Sequence, residues 1–263
     1  MATEWDAATY REVSALQEWL AAKSLASLTL AGGERVLDVG CGDGRISAAI
    51  AAHVSSGSVL GVDASQHMVD FAAAAFPPAE HPNLHFAVAD AAALHLTPDF
   101  DLAVSFNALH WVLDLPAALR GLHAALVPGG RALLRFVPAS TRRSLEDVIE
   151  DTCAAAQWRT WFADHRTPFV HPDAGAYAAL ARAAGFIVKG AGMAHEAWDF
   201  GSRPAFAHFA AGTFVAWTSR LPEDRRDAFI EDALDRYAAV QPPPPVQNAF
   251  VFDQLELELQ KPF

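Results

Sequence analysis

The chain has 263 residues, of which 52% are hydrophobic and 19% are charged, enough apolar material for one large core and too much for an intrinsically disordered protein. Its 31 acidic and 19 basic residues give a formal net charge of −12. This balance excludes the basic surface of a nucleic-acid-binding protein and disfavours a surface that lies on anionic lipid.

Targeting segments and cysteine chemistry also narrow the class of protein. No apolar run reaches the roughly 20 residues of a membrane span, and the start, MATEWDAATYREV, lacks the pattern of a signal peptide. Two cysteines, Cys41 and Cys153, cannot form a disulfide framework or a four-ligand zinc site, and no histidine spacing predicts a metal. We therefore expect a cytoplasmic protein without a metal, a monomer or a homodimer, that binds neither nucleic acid nor membrane.

The first half of the chain alternates strand and helix patterns. Strands are predicted over residues 34–39, 58–63, 83–90, 100–106 and 131–137. Helices are predicted over residues 44–54, 65–76 and 115–126. Strands separated by helices of about a dozen residues are typical of βαβ units. This predicts the α/β class, with helices on both faces of a mostly parallel sheet of the doubly wound, Rossmann-like kind.

The second half completes this sheet and adds a covering layer. A helix over 171–186 precedes a strand over 186–200, and a helix over 221–239 precedes a strand over 249–260. The two strands predict an antiparallel terminal hairpin, which brings the sheet to seven strands. Residues 138–170 and 202–240 are helical in pattern and rich in aromatic residues, and we interpret them as a lid over the carboxyl ends of the strands. Its aromatic residues either contact substrate, as assigned to Trp158, Trp161 and Trp217, or only pack the lid onto the body.

A glycine-rich turn follows the first strand in the sequence VLDVGCGDGR, residues 36–45. Glycines are needed where the backbone turns tightly or a ligand touches the main chain. The spacing departs from the dinucleotide fingerprint, because Arg45 stands where that motif has Gly or Ala. No Lys-Ser or Lys-Thr pair follows to make a phosphate-binding loop. Cys41 is interpreted as a small turn residue, since no histidine accompanies it.

This segment resembles motif I of class I S-adenosylmethionine-dependent methyltransferases, with Gly40, Gly42 and Gly44 as its glycines. Further landmarks of that family follow in order: Asp63 ends the second strand, Asp90 ends the third, and LVPGG precedes the fifth. The resemblance implies S-adenosylmethionine as cofactor and S-adenosylhomocysteine as product. It implies that Asp63 binds both ribose hydroxyls, that Asp90 binds the adenine amine and that the Ala91 N–H points to the ring.

The remaining cofactor assignments are less specific. Asp38 either contacts the cofactor or braces the glycine turn, and Met68 lies either under the adenine or in the core. We also assign Ala64 and Asn107 to the cofactor site. We expect one domain over residues 1–263. Its parts are a substrate-cap helix over 1–30, a cofactor-binding core over 34–137, the lid over 138–170 and 202–240, and sheet-completing segments over 171–200 and 249–260.

Two other segments resemble the group that contains trans-aconitate and juvenile hormone acid O-methyltransferases. These are Trp5 and Tyr10 with Gln17 at the start, and the run LHWV that includes His110 and Trp111 after the fourth strand. The resemblance implies that Gln17 and Trp111 hold a substrate carboxylate through side-chain N–H groups, with Trp5 and Tyr10 near the substrate. The predicted reaction is O-methylation of a small organic or hydrophobic carboxylic acid by direct in-line transfer.

Alternatives remain open at each of these positions. Gln17 is otherwise a solvated helix residue, and Trp111 a packing residue under the lid. His110 either stacks beside the site or acts as a general base, which would favour N-, C- or phenolic O-methylation in natural-product or quinone biosynthesis. A cofactor-binding module without catalysis is a third hypothesis. Arginines in the lid, which a polycarboxylate substrate would need, are Arg142, Arg143, Arg159, Arg166, Arg203 and Arg220.

Overall fold

A seven-stranded sheet organises the molecule, for which the computed structural model describes residues 14–241 and 248–263. Its strands are β1 (Arg35–Val39), β2 (Ser58–Asp63), β3 (Leu84–Val88), β4 (Phe100–Phe106), β5 (Leu126–Phe136), β6 (Ile187–Asp199) and β7 (Ala249–Gln260). They lie in the order β3-β2-β1-β4-β5-β7-β6. The first five strands pair in parallel, and β7 pairs antiparallel with both β5 and β6. The predicted mostly parallel sheet and antiparallel terminal hairpin are confirmed.

The described helices begin with α1 (Ser14–Ala26), α2 (Arg45–His53), α3 (Gln66–Ala75) and α4 (Leu115–Ala125). They continue with α5 (Leu145–Ala154), α6 (Ala174–Ala183), α7 (Arg203–Thr213), α8 (Val215–Thr218) and α9 (Glu223–Val240). Side-chain caps set several starts. The side chains of Ser65, Asp114, Ser144, Asp173 and Ser202 each accept a hydrogen bond from a backbone N–H in the first turn.

Three clusters of buried side chains make up the core. One lies between the sheet and α4 and α6, and includes Leu122, Tyr177 and Leu257. A second packs α2 against the opposite face, through Ile50 and its neighbours. The third joins α1, α5, α7 and α9 to the first residues of β7. Because β7 is antiparallel to β5 and pairs with it only from Leu255 onward, those first residues extend past the carboxyl end of β5. The third cluster therefore covers the carboxyl ends of the parallel strands.

Arg135 on β5 attaches the C-terminal part of α1 to the sheet. Its guanidinium donates to the Ser24 and Ser27 hydroxyls at 3.1 and 2.7 Å, and it pairs with Glu256 on β7. Lys23 forms a further ion pair with Glu196 on β6. These contacts hold α1 beside the carboxyl ends of the strands.

Two segments differ from their predicted form. Strand β5 begins at Leu126, so the LVPGG sequence lies inside it, because Leu126 pairs with Phe100 before a shift in register and Gly129 adopts a φ of +78° there. In residues 138–170 only α5 is helical, and residues 155–164 form successive turns that contain Trp158 and Trp161. No helix in the described parts of the chain is long and apolar enough to cross a membrane.

Candidate active site

The glycine-rich loop joins β1 to α2 and turns sharply under hydrogen bonds from the next strand. The backbone N–H groups of Gly40 and Cys41 donate to the Val62 carbonyl at 2.8 and 3.0 Å. Gly40 has a φ of +77°, and a Cβ built on it would lie 2.1 Å from the Ala108 Cβ. A Cβ on Gly42, by contrast, would meet nothing within 4 Å. The loop therefore packs closely against the β4 loop below and leaves open space beside Gly42.

Asp38 lies beneath this loop and is 2% exposed. Burial raises the pKa of its carboxyl to about 7, and the charge of Asp63 acts in the same direction. The Ser47 hydroxyl donates a hydrogen bond to this carboxyl at 2.6 Å, which acts in the opposite direction. Burial, with the neighbouring carboxylates of Asp38 and Asp63, also raises the pKa of the Cys41 thiol. Asp38 braces α2 against β1 through Ser47, and a protonated Cys41 fits its interpretation as a turn residue.

The carboxylates that follow β2 and β3 lie at the same edge of the sheet, where the parallel strands end. Asp63 accepts hydrogen bonds from the Gly42 and Ser65 backbone N–H groups at 3.0 and 2.9 Å. Asp90 is exposed and accepts one from the Ala92 N–H at 2.9 Å, which caps a short 3-10 helix over Ala91–Ala93. Since β2 and β3 are parallel and paired from Val59↔Leu84 to Asp63↔Val88, both carboxylates lie at the carboxyl edge.

The other residues assigned to the cofactor border this edge. Ala64 is exposed just after β2, Met68 is buried in the first turn of α3, and Ala91 is buried beside Asp90. These side chains fit S-adenosylmethionine, because two carboxylates at neighbouring strand ends can accept hydrogen bonds from a ribose diol and from an amine. The open space beside Gly42 admits a ligand close to the main chain.

A cavity of about 110 Å³ lies next to this edge, under the third core cluster. Its polar lining residues are Asn107, His110, Glu146 and Thr213. Its apolar ones are Leu16, Leu20, Trp111, Val137, Leu145, Ile149, Phe209, Phe214, Trp217, Phe250 and Phe252. No lysine or arginine belongs to the lining that the described residues form. A mostly apolar cavity with few polar groups is typical of a small-molecule site.

The loop after β4 connects this cavity to the glycine loop. Asn107 has a φ of +58°, and its side-chain carbonyl accepts a hydrogen bond from the Gln254 amide at 2.8 Å. Asparagine tolerates this left-handed conformation better than most residues. Ala108, the next residue, packs against Gly40. The sharp turn at Asn107 therefore places the glycine loop in contact with the cavity wall.

His110 and Trp111 lie on a single 3-10 turn, Leu109–Trp111, at the cavity wall. His110 is 2% exposed, and burial, followed by the nearby charge of His171, lowers its pKa to about 3. Its ring is therefore neutral near pH 7 and a weak base. Trp111 packs edge-to-face on Phe169 and Trp217, with ring centroids 6.1 and 5.9 Å apart.

The structure separates the aromatic residues that were assigned to substrate. Trp217 lines the cavity, and its indole N–H donates to Glu150 at 2.7 Å. Trp158 instead donates to Asp232 on α9 at 2.6 Å, and Trp161 packs against Trp158. Neither lines the cavity, so their packing interpretation has the better support. The assigned residues Trp5 and Tyr10 lie outside the described residues. For Gln17 the backbone is described but the side chain is not: it lies in α1, one residue after Leu16, which lines the cavity.

The arginines of the lid do not line the cavity. Four of them form ion pairs with acidic side chains: Arg142 with Asp253, Arg143 with Asp151, Arg203 with Glu231 and Asp235, and Arg220 with Asp164. Arg159 and Arg166 are exposed. Among the described residues, no group of three or more His, Cys, Asp or Glu side chains is placed to hold a metal ion.

Several lining residues escaped the sequence analysis. Phe250 and Phe252 share one face of β7, which their spacing of two residues could have indicated. Glu146 follows Ser144 at the start of α5, where an acidic residue is ordinarily interpreted as stabilising the helix end. Nothing in the linear sequence relates these positions to His110, because the contact depends on how α5 and β7 meet the end of β4.

Comparison with known proteins relates this chain to methyltransferases. A family model described as "Methyltransferase domain" matches residues 36–130, which include the glycine loop and both strand-end carboxylates. The chain is 24% identical over 233 residues to protein 235L of Invertebrate iridescent virus 6, whose name places it among methyltransferases, covering 89% of this chain and 85% of the relative.

Two relatives have names that include a carboxylic acid. A trans-aconitate 2-methyltransferase of Methylobacterium radiotolerans is 30% identical over 161 residues, covering 61% of this chain and 60% of the relative. A juvenile hormone acid O-methyltransferase of Bombyx mori is 29% identical over 153 residues, covering 53% of this chain and 50% of the relative. The chain thus matches only half to three-fifths of the length of these two proteins.

Solved structures share the fold. The YcgJ protein of Bacillus subtilis superposes with a TM-score of 0.63 at 18% identity, over 94% of this chain and 99% of that one. A Haemonchus contortus phosphoethanolamine N-methyltransferase, solved with S-adenosylhomocysteine, gives a TM-score of 0.63 at 15% identity, over 98% of this chain and 57% of that one.

Proposed function

The chain is a class I S-adenosylmethionine-dependent methyltransferase, and we propose that it methylates the carboxylate of a hydrophobic acid. When bound, S-adenosylmethionine supplies an electrophilic methyl group. Asp63 would hold the ribose hydroxyls and Asp90 the adenine amine, with the glycine loop against the rest of the cofactor. Asp63 would then exchange or share the hydrogen bonds that it accepts from Gly42 and Ser65.

The weak basicity of His110 carries the choice of acceptor. With a pKa near 3, this ring does not remove a proton from a phenol or an ammonium group at neutral pH. A carboxylic acid is already ionised there and needs no base. The alternative in which His110 acts as a base for N-, C- or phenolic O-methylation is correspondingly disfavoured.

Neutral donors suit a carboxylate that has to react. We propose that the Trp111 indole N–H and the Gln17 side-chain amide orient the acceptor oxygens. Such donors hold the carboxylate in line with the methyl group without the strong ground-state pairing that an arginine would give. The apolar lining would limit the access of water once substrate is bound, and this would strengthen the electrostatic interactions in the cavity.

The lining favours a monocarboxylic acid over a polycarboxylic one. Each additional carboxylate would have to leave water without a cation to pair with, at a cost of several kcal/mol per ion. The lid arginines that could have supplied this pairing are bound to acidic residues or exposed. An acid with a single carboxylate and an apolar body fits the described lining better.

Labelled methyl transfer tests this proposal. The protein would be incubated with S-adenosylmethionine carrying a radioactive methyl group and a panel of aliphatic, terpenoid and aromatic acids. Formation of an ester predicts that mild base releases the label as volatile methanol. A product whose label withstands base, from the same panel or from phenols and amines, would refute carboxylate methylation.

A further inference from the structure

Glu146 is an acidic side chain in the wall of an otherwise apolar cavity. It is the second residue of α5, and its neighbours Leu145 and Ile149 also line the cavity. The helix does not need it as a cap. Ser144 and Asp147 form a reciprocal capping box, in which Ser144 Oγ accepts from the Asp147 N–H at 3.0 Å and Asp147 Oδ2 accepts from the Ser144 N–H at 3.2 Å.

The surroundings of Glu146 are unfavourable for a carboxylate. Burial raises its pKa, whereas the nearby His171, the backbone N–H of Glu146 itself and the Ser144 hydroxyl act in the opposite direction. The described cavity lining offers it no lysine or arginine. Burying a charged or polar group without adequate partners costs free energy. In a ligand cavity such a group commonly orients the ligand and discriminates among ligands.

We propose that Glu146 determines acceptor specificity by accepting a hydrogen bond from a hydroxyl group on the apolar body of the acid. This inference rests on the proposed carboxylate methylation. A hydroxyl supplies a donor from the cavity side, where the described lining has no lysine or arginine, and brings no charge into the cavity. A methyl group at the same place would offer the carboxyl no further hydrogen bond, and a second carboxylate would add a like charge. The preferred acceptor is therefore a hydroxylated hydrophobic monocarboxylic acid.

The test uses matched straight-chain acids from octanoic to tetradecanoic acid. Each length is assayed as the plain acid, as the acid with a terminal hydroxyl, and as the diacid. Varying the length moves the terminal group along the cavity, so that one length should bring it to Glu146. At that length we expect the hydroxy acid to exceed the plain acid in kcat/KM by about tenfold, the effect of one hydrogen bond to a buried charged or polar group.

Two substitutions separate hydrogen bonding from charge. Glu146→Leu should abolish the preference for the hydroxy acid and improve the plain acid. Glu146→Gln keeps an acceptor oxygen and should retain most of that preference while tolerating the diacid better. Asp151→Asn is the matched control, because Asp151 lies on the same helix, is exposed, and pairs with Arg143 at the surface. Its ratios among the three acids should equal those of the wild type.

The outcomes distinguish this inference from the proposed function. If the wild type forms no ester with any acid, the carboxylate assignment itself fails. If esters form but the ratio of hydroxy to plain acid is the same in wild type, Glu146→Leu and Glu146→Gln at every length, the role of Glu146 is refuted while carboxylate methylation stands. Thermal unfolding of each variant shows whether the fold is retained, and Glu146→Gln preserves the test if Glu146→Leu does not fold.

Discussion

Asp63 Oδ2 accepts a hydrogen bond from the Gly42 backbone N–H at 3.0 Å, so the carboxylate at the end of β2 holds the glycine loop that follows β1. The same carboxylate is the one that we expect to bind the ribose. We therefore expect this one side chain to affect both the loop geometry and the cofactor affinity. A variant that tests cofactor binding has to keep the hydrogen bond to the loop.

Replacing Asp63 should weaken cofactor binding more than it weakens the fold. In Asp63→Asn the amide retains one acceptor oxygen for the loop but loses the charge-assisted bonds to two hydroxyls, each worth about 1.5–3 kcal/mol. We expect the Kd for S-adenosylhomocysteine, measured by calorimetry, to rise at least about tenfold. Asp70→Asn, on the exposed side of α3, is the control. Unchanged affinity in Asp63→Asn would contradict the ribose assignment.

The close approach of Gly40 to Ala108 predicts that even a methyl group is too large there. In Gly40→Ala the new Cβ would lie 2.1 Å from the Ala108 Cβ, at a φ of +77° that costs a non-glycine residue about 1–3 kcal/mol. We expect a lower Tm and much weaker cofactor binding. Gly33→Ala is the comparison, since its Cβ would meet nothing within 4 Å. Equal effects in the two variants would argue against the contact.

Burial of Asp38 predicts a particular pH dependence of stability. Its pKa is about 7 in the folded state against an ordinary value of 3.8, so the folded state binds more protons between these values. The contribution of this group to the free energy of unfolding therefore falls as pH rises from about 4 to 7, by up to about 4 kcal/mol.

Asp38→Asn should remove that dependence. Urea unfolding of both proteins without cofactor, between about pH 5 and pH 7.5, should show the variant gaining stability relative to wild type as pH rises. A difference that stays constant over this range would show that Asp38 does not hold its proton in the folded state.

The proposed acceptor donors predict effects on turnover rather than on cofactor affinity. Trp111→Phe keeps an aromatic ring beside Phe169 and Trp217 but removes the indole N–H, and Gln17→Leu removes the amide. Each should lower kcat/KM by about tenfold or more, as expected for a lost hydrogen bond to a charged group. Cofactor affinity should be nearly unchanged. If neither variant loses activity, the assignment of these two residues is wrong.

The low pKa of His110 predicts that its ionisation does not appear in the pH–rate profile. Since this pKa lies near 3, kcat/KM should show no limb from His110 between about pH 6 and 8. Profiles of wild type and His110→Gln should then have the same shape, with any shared limb arising from another group. A limb present only in the wild type would favour the general-base alternative.

The strand and helix pattern was largely predictable because each element carries its own local signal. Buried parallel strands are short apolar runs, and a capping side chain such as Ser65 marks a helix start within a few residues of sequence. The fifth strand was harder to delimit. Pro128, Gly129 and Gly130 ordinarily indicate a turn. The flanking residues Leu126 and Arg131 pair with β4, and Gly129 and Gly130 form backbone hydrogen bonds with Lys261, which continues the sheet through this sequence.

The sequence by itself determined the α/β sheet and the cofactor edge, because the glycine loop, Asp63 and Asp90 each follow a strand and parallel strands all end at one edge. Tertiary structure alone decided the acceptor cavity. Its walls come from α1, α5, α7, α8, β7 and the β4 loop, which are far apart in the chain. Packing placed Glu146 in that wall, paired four of the lid arginines with carboxylates, and buried His110, which lowers the pKa of its ring. These properties depend on neighbours and on exclusion of water, which no local stretch of sequence specifies.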